Sequence, residues 1–442
     1  MSDSAIRPPS GTWFGQPPGL AILFLTEMWE QFSFYGMRTL LVYYMTRQLV
    51  FGQEKASLIF GTYTAFVYLT PTFGGVISDR WLGRRNCVVL GGSIMAIGHF
   101  MMTFETLFYP ALATIAIGNG LFLPSLPSQI GSLYRHDDPR RASAYNVYYA
   151  GVNLGAFLAP LVCGTLGEIY GWHWGFAAAG IGMIAGLSIY LAGSRHLPRD
   201  PPRAAASAAS APAPPTEDLA RRFTLLLGVA AVVVVFRGAY GQLGNTVALW
   251  IDAGVDRTLA GDRTIPMTWF QSLNPLMVFL LTPLFIARWT RMADAGREPS
   301  SLSKMATGAA LVAFSYLFIA TVAAWHEELN VRAGWVWAAA FFVLVTAGEL
   351  YILPVGLGLF GRLAPRMHTA TTIAAWFLAA FAGNLLAGGM GTLWSRYSPA
   401  EFFGVMGGLA GAAALLLLFL NRPVQRFERA ERSSLPHSAR FP

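Results

Sequence analysis

Apolar residues run through this chain in long blocks separated by short polar and basic stretches. Twelve such blocks lie near 19–47, 55–78, 87–106, 108–133, 143–167, 173–194, 222–250, 266–289, 302–324, 334–361, 369–394 and 402–421. A bilayer-crossing helix needs about 20 mostly apolar residues, and each block supplies them. The pattern predicts an all-α membrane protein with twelve transmembrane helices. The first block is too long and too charged for a signal peptide, and no small-residue cleavage site follows it.

One segment interrupts the series. Residues 198–217, from Pro198-Arg199-Asp200-Pro201-Pro202 to Pro214-Pro215-Thr216-Glu217, are Pro/Ala-rich and polar, cannot build a core, and read as a flexible linker. The predicted organisation is a six-helix bundle over 1–197, a cytoplasmic linker over 198–221, and a second six-helix bundle with a basic tail over 222–442. Two pseudo-symmetric halves of six spans are the layout of major-facilitator-type carriers, whose substrate site lies near the midplane between the halves. Prolines inside spans, such as Pro71, Pro124, Pro160, Pro275 and Pro354, would permit bending during gating where neighbours satisfy the freed backbone groups.

Composition sharpens the membrane reading. The chain is 54% hydrophobic and only 12% charged, about half the charged share of a soluble domain. The formal charge of +8 suggests nucleic acid until its placement is considered. Basic residues concentrate in alternate loops, at Arg80, Arg84 and Arg85, at Arg135, Arg140 and Arg141, at Arg288, Arg291, Arg297 and Lys304, and at Arg362 and Arg366. The linker and the C-terminal tail carry more arginines. By the positive-inside rule this puts both termini in the cytoplasm, and it excludes a nucleic-acid partner as the reason for the charge. Two lysines against 29 arginines suggest a GC-rich bacterial source, hence a multi-pass protein of the bacterial inner membrane. Cys87 and Cys163 match no metal or disulfide spacing and read as small packing residues. No nucleophile–base or His–metal spacing points to an enzyme. His99 and His173 are isolated and read as packing or interfacial residues.

Ionisable residues at membrane depth are costly and mark function by default. The first span holds three: Glu27, Glu30 and Arg38. At 100° per residue, Phe34 and Arg38 fall within about 20° of Glu27, and with Glu30, Gln31 and Tyr35 they form one face roughly 140° wide. Such a stripe is expected to line a cavity. Desolvation favours the protonated form of a carboxylate and a nearby cation opposes it, so this group can take up and release a proton. Between the second and third blocks, Gly75-Val76-Ile77-Ser78-Asp79-Arg80-Trp81-Leu82-Gly83-Arg84-Arg85 matches the G-x-x-x-D-R-x-x-G-R-R loop of the major facilitator superfamily. Its glycine allows close helix approach. Asp79 can accept from the N-terminal amides of a facing helix and so latch one end of a carrier shut. Arg80, Arg84 and Arg85 complete this gating loop.

More specific segments follow. Glu27-x-x-Glu30-Gln31-Phe32-Ser33-Phe34-Tyr35-Gly36-Met37-Arg38 resembles the E-x-x-E-R-F-x-Y-Y-G-M-R motif of the proton-dependent oligopeptide transporter family. Tyr68-Leu69-Thr70-Pro71 resembles its second span, and Tyr148-Tyr149-Ala150-Gly151-Val152-Asn153-Leu154-Gly155 its F-Y-x-x-I-N-x-G signature. Tyr240-Gly241-Gln242-Leu243-Gly244-Asn245-Thr246 is similar to Y-E-Q-x-G-N-T, Asn274-Pro275 to the eighth-span N-P, Glu349-Leu350 with Pro354 and Gly356 to E-L-x-x-x-P-x-G, and Trp376-Phe377-Leu378 to the eleventh span. The resemblance implies proton coupling at Glu27 and Glu30. It implies a peptide-binding set of Arg38, Tyr35, Tyr68, Asn153, Tyr240, Gln242, Asn274, Glu349 and Trp376, in which Asn153, Asn274 and Glu349 hold the amino terminus; Arg237, one turn before Gly241, adds a cation to this set by its position alone. Glu349 is the only acidic residue within the C-terminal half's spans.

Three family residues are replaced. The arginine after the second glutamate is Gln31, the fourth-span lysine is Leu123, and the seventh-span glutamate is Gly241. The first two are the cations that would bind the peptide carboxylate and pair with the glutamates. Arg38 and Arg237, one in each half, are the cations left within the spans. The resulting expectation is a monomeric secondary carrier importing di- or tripeptides with protons, with no cofactor beyond the coupling proton. A relative carrying another zwitterionic or anionic solute, or working without a proton, is the alternative; a non-transporting membrane sensor is the alternative of another class.

Overall fold

In the computed structural model the described residues are 13, 15–134, 138, 140–198, 216–259, 261, 263–363 and 369–434. They are almost entirely helical, as expected of a chain that must satisfy its own backbone hydrogen bonds inside lipid. In chain order the helices are α1 (Pro18–Tyr43), α2 (Gln53–Ile77), α3 (Arg84–Met101), α4 (Phe108–Ser125), α5 (Arg140–Ala159), α6 (Trp172–Gly193), α7 (Thr216–Tyr240), α8 (Thr246–Gly254), α9 (Phe270–Asp294), α10 (Ser301–Glu328), α11 (Trp335–Leu363), α12 (Thr369–Gly391) and α13 (Pro399–Ser434). Two-residue strands β1 (Val255–Asp256) and β2 (Ala333–Gly334) pair in parallel. Nine of the described helical segments are long and apolar enough to cross a membrane by length and composition alone. The three N-terminal rods are not among them; α1 carries Glu27, Glu30 and Arg38, and α3 opens on Arg84-Arg85-Asn86.

Most of the predicted linker over 198–221 lies outside the described residues. Its last six residues, 216–221, are the first turns of α7. Thr216-Glu217-Asp218 supplies a capping residue and two acids, the sequence of a helix start.

The chain divides into two compact units. The first comprises residues 1–40 and 69–207. Its core gathers Leu20 and Leu23 of α1, Met95 of α3, Phe122 of α4, Tyr148 of α5 and Met183 of α6. Backbones meet closely at small residues, the usual device where lipid gives no hydrophobic drive. A Cβ on Gly155 of α5 would strike the Met28 carbonyl of α1, and one on Gly74 of α2 would strike the Gly120 carbonyl of α4. The loop motif's Gly75, expected to be the point of close approach, has only Pro124 at 3.9 Å from such a Cβ, so that contact belongs to its neighbour. Cys163 packs against Gly36 and Cys87 is fully buried, both as packing residues.

The second unit comprises residues 41–68 and 208–442. Residues 41–68 join it through specific contacts. Tyr43 Oη donates to the Ala248 carbonyl (3.0 Å), Arg47 pairs with Asp252, and Gln53 Nε2 donates to the Gly391 carbonyl (2.8 Å). Gly61 packs backbone to backbone on Gly388 of α12.

The seventh predicted span is not one helix. α7 stops at Tyr240, a short 3-10 turn covers Gly241–Gly244, and α8 starts at Thr246. Irregular backbone at membrane depth persists only where neighbours satisfy it. Here Tyr316 Oη donates to the Ala239 carbonyl (2.8 Å) and Gln271 Nε2 to the Leu243 carbonyl (2.9 Å).

Candidate functional site

In the first unit the site is built on α1. Gly151 and Gly155 let α5 lie directly on α1 at Phe24 and Met28, and Gly182 and Gly186 let α6 lie on it at Phe32 and Trp29. This packing encloses the polar stripe. Glu27 and Glu30 are 2% and 1% exposed, so the two carboxylates lie in packed protein and do not line an open cavity as their helical face predicts. Phe34, Tyr35 and Arg38, further along the same face, are half-buried. Arg38 lies with its guanidinium 5.7 Å from the Tyr35 ring centroid.

The residue that replaces the family arginine links the two acids. Gln31 Nε2 donates to Glu27 Oε1 (3.1 Å) and to Glu30 Oε2 (2.8 Å). No cation lies within ion-pair distance of either carboxylate among the described residues. Glu27 Oε2 is buried without a hydrogen-bond partner, and so is the hydroxyl of Tyr148, which faces Glu27 from α5. Leu123, at the family's lysine position, is a half-buried residue of α4. Asn153 is buried, and its Nδ2 donates to the Tyr149 carbonyl of its own helix (3.0 Å).

The gating loop follows α2 as a π-helical turn over Ser78–Leu82, ended by Gly83 at φ 80°. Arg84 Nη1 donates to the Ser128 carbonyl (3.2 Å), and Arg85 donates to the Ser194 carbonyl. Asp79 and Arg80 are exposed. The expected latch from Asp79 to helix amides is not formed here: the residue is exposed and no hydrogen bond or ion pair reaches its carboxylate among the described residues.

The second unit holds groups of both signs. Asn274 of α9 donates through Nδ2 to Glu349 Oε2 (2.6 Å) and Thr346 Oγ1 (3.0 Å) of α11. Thr346 carried no motif in the sequence, but its place three residues before Glu349 puts both on one helix face. Arg237 of α7 is 8% exposed, with its guanidinium 5.0 Å from the Tyr68 ring centroid and its Nε without a partner. It forms no ion pair among the described residues. Tyr240 stacks on Phe236, and Trp376 packs edge-on to Phe360 and against Gly356.

Gln242, expected in the peptide-binding set, has its polar atoms taken up by the break between α7 and α8. It is fully buried. Its Nε2 donates to the carbonyls of Gly238 (3.1 Å) and Ala387 (2.8 Å), and its Oε1 accepts from Thr246 Oγ1 (3.0 Å) and Asn245 Nδ2 (3.4 Å). A side-chain amide offers two donors and one acceptor oxygen, and this one uses both ends.

The chain matches the model of the POT family over residues 85–212 and 216–405. It is 32% identical to the uncharacterized transporter YclF of Bacillus subtilis, with 95% of this chain and 96% of that protein covered. It is 30% identical to a di-/tripeptide transporter of Lactococcus lactis subsp. cremoris, covering 93% of this chain and 97% of that one. A crystal structure of a peptide transporter POT in complex with sulfate superposes with a TM-score of 0.86 at 28% identity, covering 95% of this chain and 97% of the other. The protein belongs to the POT family of membrane transporters.

Proposed function

We propose that this protein imports di- and tripeptides across the bacterial inner membrane by proton symport, as a monomer with both termini in the cytoplasm. The observation that carries the peptide reading lies in the second unit. A carboxylate is held ready by Asn274 at Glu349, and a separate buried guanidinium, Arg237, is left without an anion. A zwitterion needs both, an anion for its ammonium and a cation for its carboxylate. A buried guanidinium without a counter-ion is costly to keep, which supports a ligand role for Arg237. Arg38 is the second candidate for the carboxylate. Tyr68, Tyr240 and Trp376 supply aromatic surface in the second unit, and Tyr35 and Asn153 supply aromatic and amide surface in the first. Named di-/tripeptide transporters among the relatives support the same substrate class.

Glu27 and Glu30 are the proton-coupling pair in this reading. Uptake of labelled dialanine into proteoliposomes, with and without an inward proton gradient, tests both halves of the proposal. Gradient-stimulated uptake is expected. A second reading rests on Gln31 and Leu123, which remove two cations from the family's pattern. It is a carrier of another zwitterionic or anionic solute, and it predicts that dialanine is not accumulated.

A further inference from the structure

The two protonatable groups of the first unit are not equivalent in their hydrogen bonding. The Gln31 amide N–H groups can only donate, so Glu27 Oε1 and Glu30 Oε2 must act as acceptors whether or not their carboxyls carry a proton. Oε1 is already engaged by that donor, so the oxygen free to carry a proton and donate it onward is Oε2. That oxygen is buried and faced by the hydroxyl of Tyr148, and neither atom has another hydrogen-bond partner. Tyr148 is held there by the core it shares with Leu20 and Leu23 of α1, and by the close seating of Gly151 and Gly155 on that helix. The signature that the segment resembles has phenylalanine at this position, so the hydroxyl is an addition. It accompanies the loss of the arginine at position 31 and of the lysine at position 123.

We propose that Tyr148 and Gln31 together replace the missing cations with a neutral hydrogen-bonding clamp, and that Tyr148 is a positioning residue for the proton on Glu27. In the charged state the Tyr148 hydroxyl donates to Glu27 Oε2. On protonation the new Oε2–H donates to Tyr148 Oη, whose own hydrogen rotates away. Tyr148 keeps its proton throughout; the transferred proton comes from water and returns to water. The groups that face Glu27 are Gln31 and Glu30 on α1 and Tyr148 on α5. The small faces of Gly182 and Gly186 bring α6 against Trp29, Phe32 and the Thr26 carbonyl with no ionisable side chain at that contact.

The inference rests on the proton-symport reading, and the test separates the two. Tyr148→Phe removes a hydrogen bond from both states of Glu27, and the bond to the charged carboxylate is the stronger, so the carboxyl holds its proton to higher pH. The pH of half-maximal gradient-driven dialanine uptake is expected to move about one pH unit to the alkaline side, a tenfold change in proton affinity. Gln31→Arg restores a cation and is expected to move it to the acid side. In the Gln31→Arg background, Tyr148→Phe should then have a much smaller effect. A Tyr148→Phe profile that superposes on the parent overturns the inference. Infrared difference spectra of the purified protein after a pH jump give a readout independent of transport: the carboxylic-acid carbonyl band of Glu27, assigned with Glu27→Gln, should shift when Tyr148 becomes Phe. An unshifted band overturns the role of Tyr148 even if the parent shows no gradient-driven uptake, which would separately sink the symport reading.

Discussion

Two polar groups set among apolar helices, one buried and one partly so, solve the same problem in opposite ways. In the first unit, Glu27, Gln31 and Glu30 close a circuit on one helix, with acids held by a neutral amide and no cation in contact. In the second unit, acid and cation are both present but kept apart, Glu349 held by Asn274 and Arg237 resting on Tyr68. A closed group of like charges without a counter-ion can be neutralised only by binding protons. A group that presents an acid and a cation at separate points suits a ligand that carries both charges. The proposed function gives the proton to one unit and the substrate's ends to the other, and that contrast can be broken at either side.

The largest effect is expected at the first group. Replacing Glu27 and Glu30 together with glutamine keeps their size and removes both protonatable sites. Gradient-driven uptake of dialanine should be abolished while counterflow exchange, which needs no net proton movement, stays largely intact. Equal loss of both activities would make the pair structural and remove the contrast.

At the second group, Glu349→Gln keeps shape and loses charge. Loss of a buried charge-assisted bond is worth roughly 1.5–3 kcal/mol, or about ten- to a hundredfold in affinity. Dialanine binding should weaken by that factor, while an N-acetylated analogue, which has no ammonium, loses little. A loss shared equally by free and blocked dipeptides would show that Glu349 serves packing alone.

Arg237 sharpens the other end. Arg237→Ala should cost a similar factor for dialanine and little for its C-terminal amide, and Lys should restore only part, because a point charge lacks the fork that matches a carboxylate. The measurement is a pair of binding isotherms for acid and amide. If the variant prefers the free acid as strongly as the parent, Arg237 is not the carboxylate's partner.

The helices and the carrier architecture were legible because the bilayer demands about 20 apolar residues per crossing and the chain is built of long apolar blocks, nine of which meet that demand among the described residues. The identity of Glu27, Glu30, Asn274 and Glu349 was legible because each is a polar residue in an apolar block. What the sequence could not carry is hydrogen-bond traffic. Gln31 read as a missing cation, and only its placement within reach of both acids makes it their bridge. Tyr148 read as one aromatic letter of a motif, since nothing in one dimension says that α5 turns it toward Glu27. The break between α7 and α8 was hidden because Gly241–Asn245 sits inside an apolar block with no proline to mark it. Asp79 is a different case: a latch is a contact a carrier makes for part of its cycle, and a motif does not say which part a structure holds.

The smallest effect on transport is expected where the contrast does not apply, at Gln242. Its motif suggested a ligand role, but its donors and acceptor are occupied by Gly238, Ala387, Thr246 and Asn245. Gln242→Leu leaves the Ala387 carbonyl without that donor and strands the Thr246 hydroxyl and the Asn245 amide. Each buried polar group left unsatisfied costs about 1–3 kcal/mol, so the penalty falls on stability. The thermal midpoint of the purified protein should drop by several degrees, while the dialanine affinity of the folded fraction stays within about twofold of the parent, a change of well under 1 kcal/mol. Affinity falling with stability unchanged would return Gln242 to the peptide-binding set. It would also show that polar residues of the second unit can serve a ligand while fully bonded to protein, which is the premise that separates Arg237 and Glu349 from the rest.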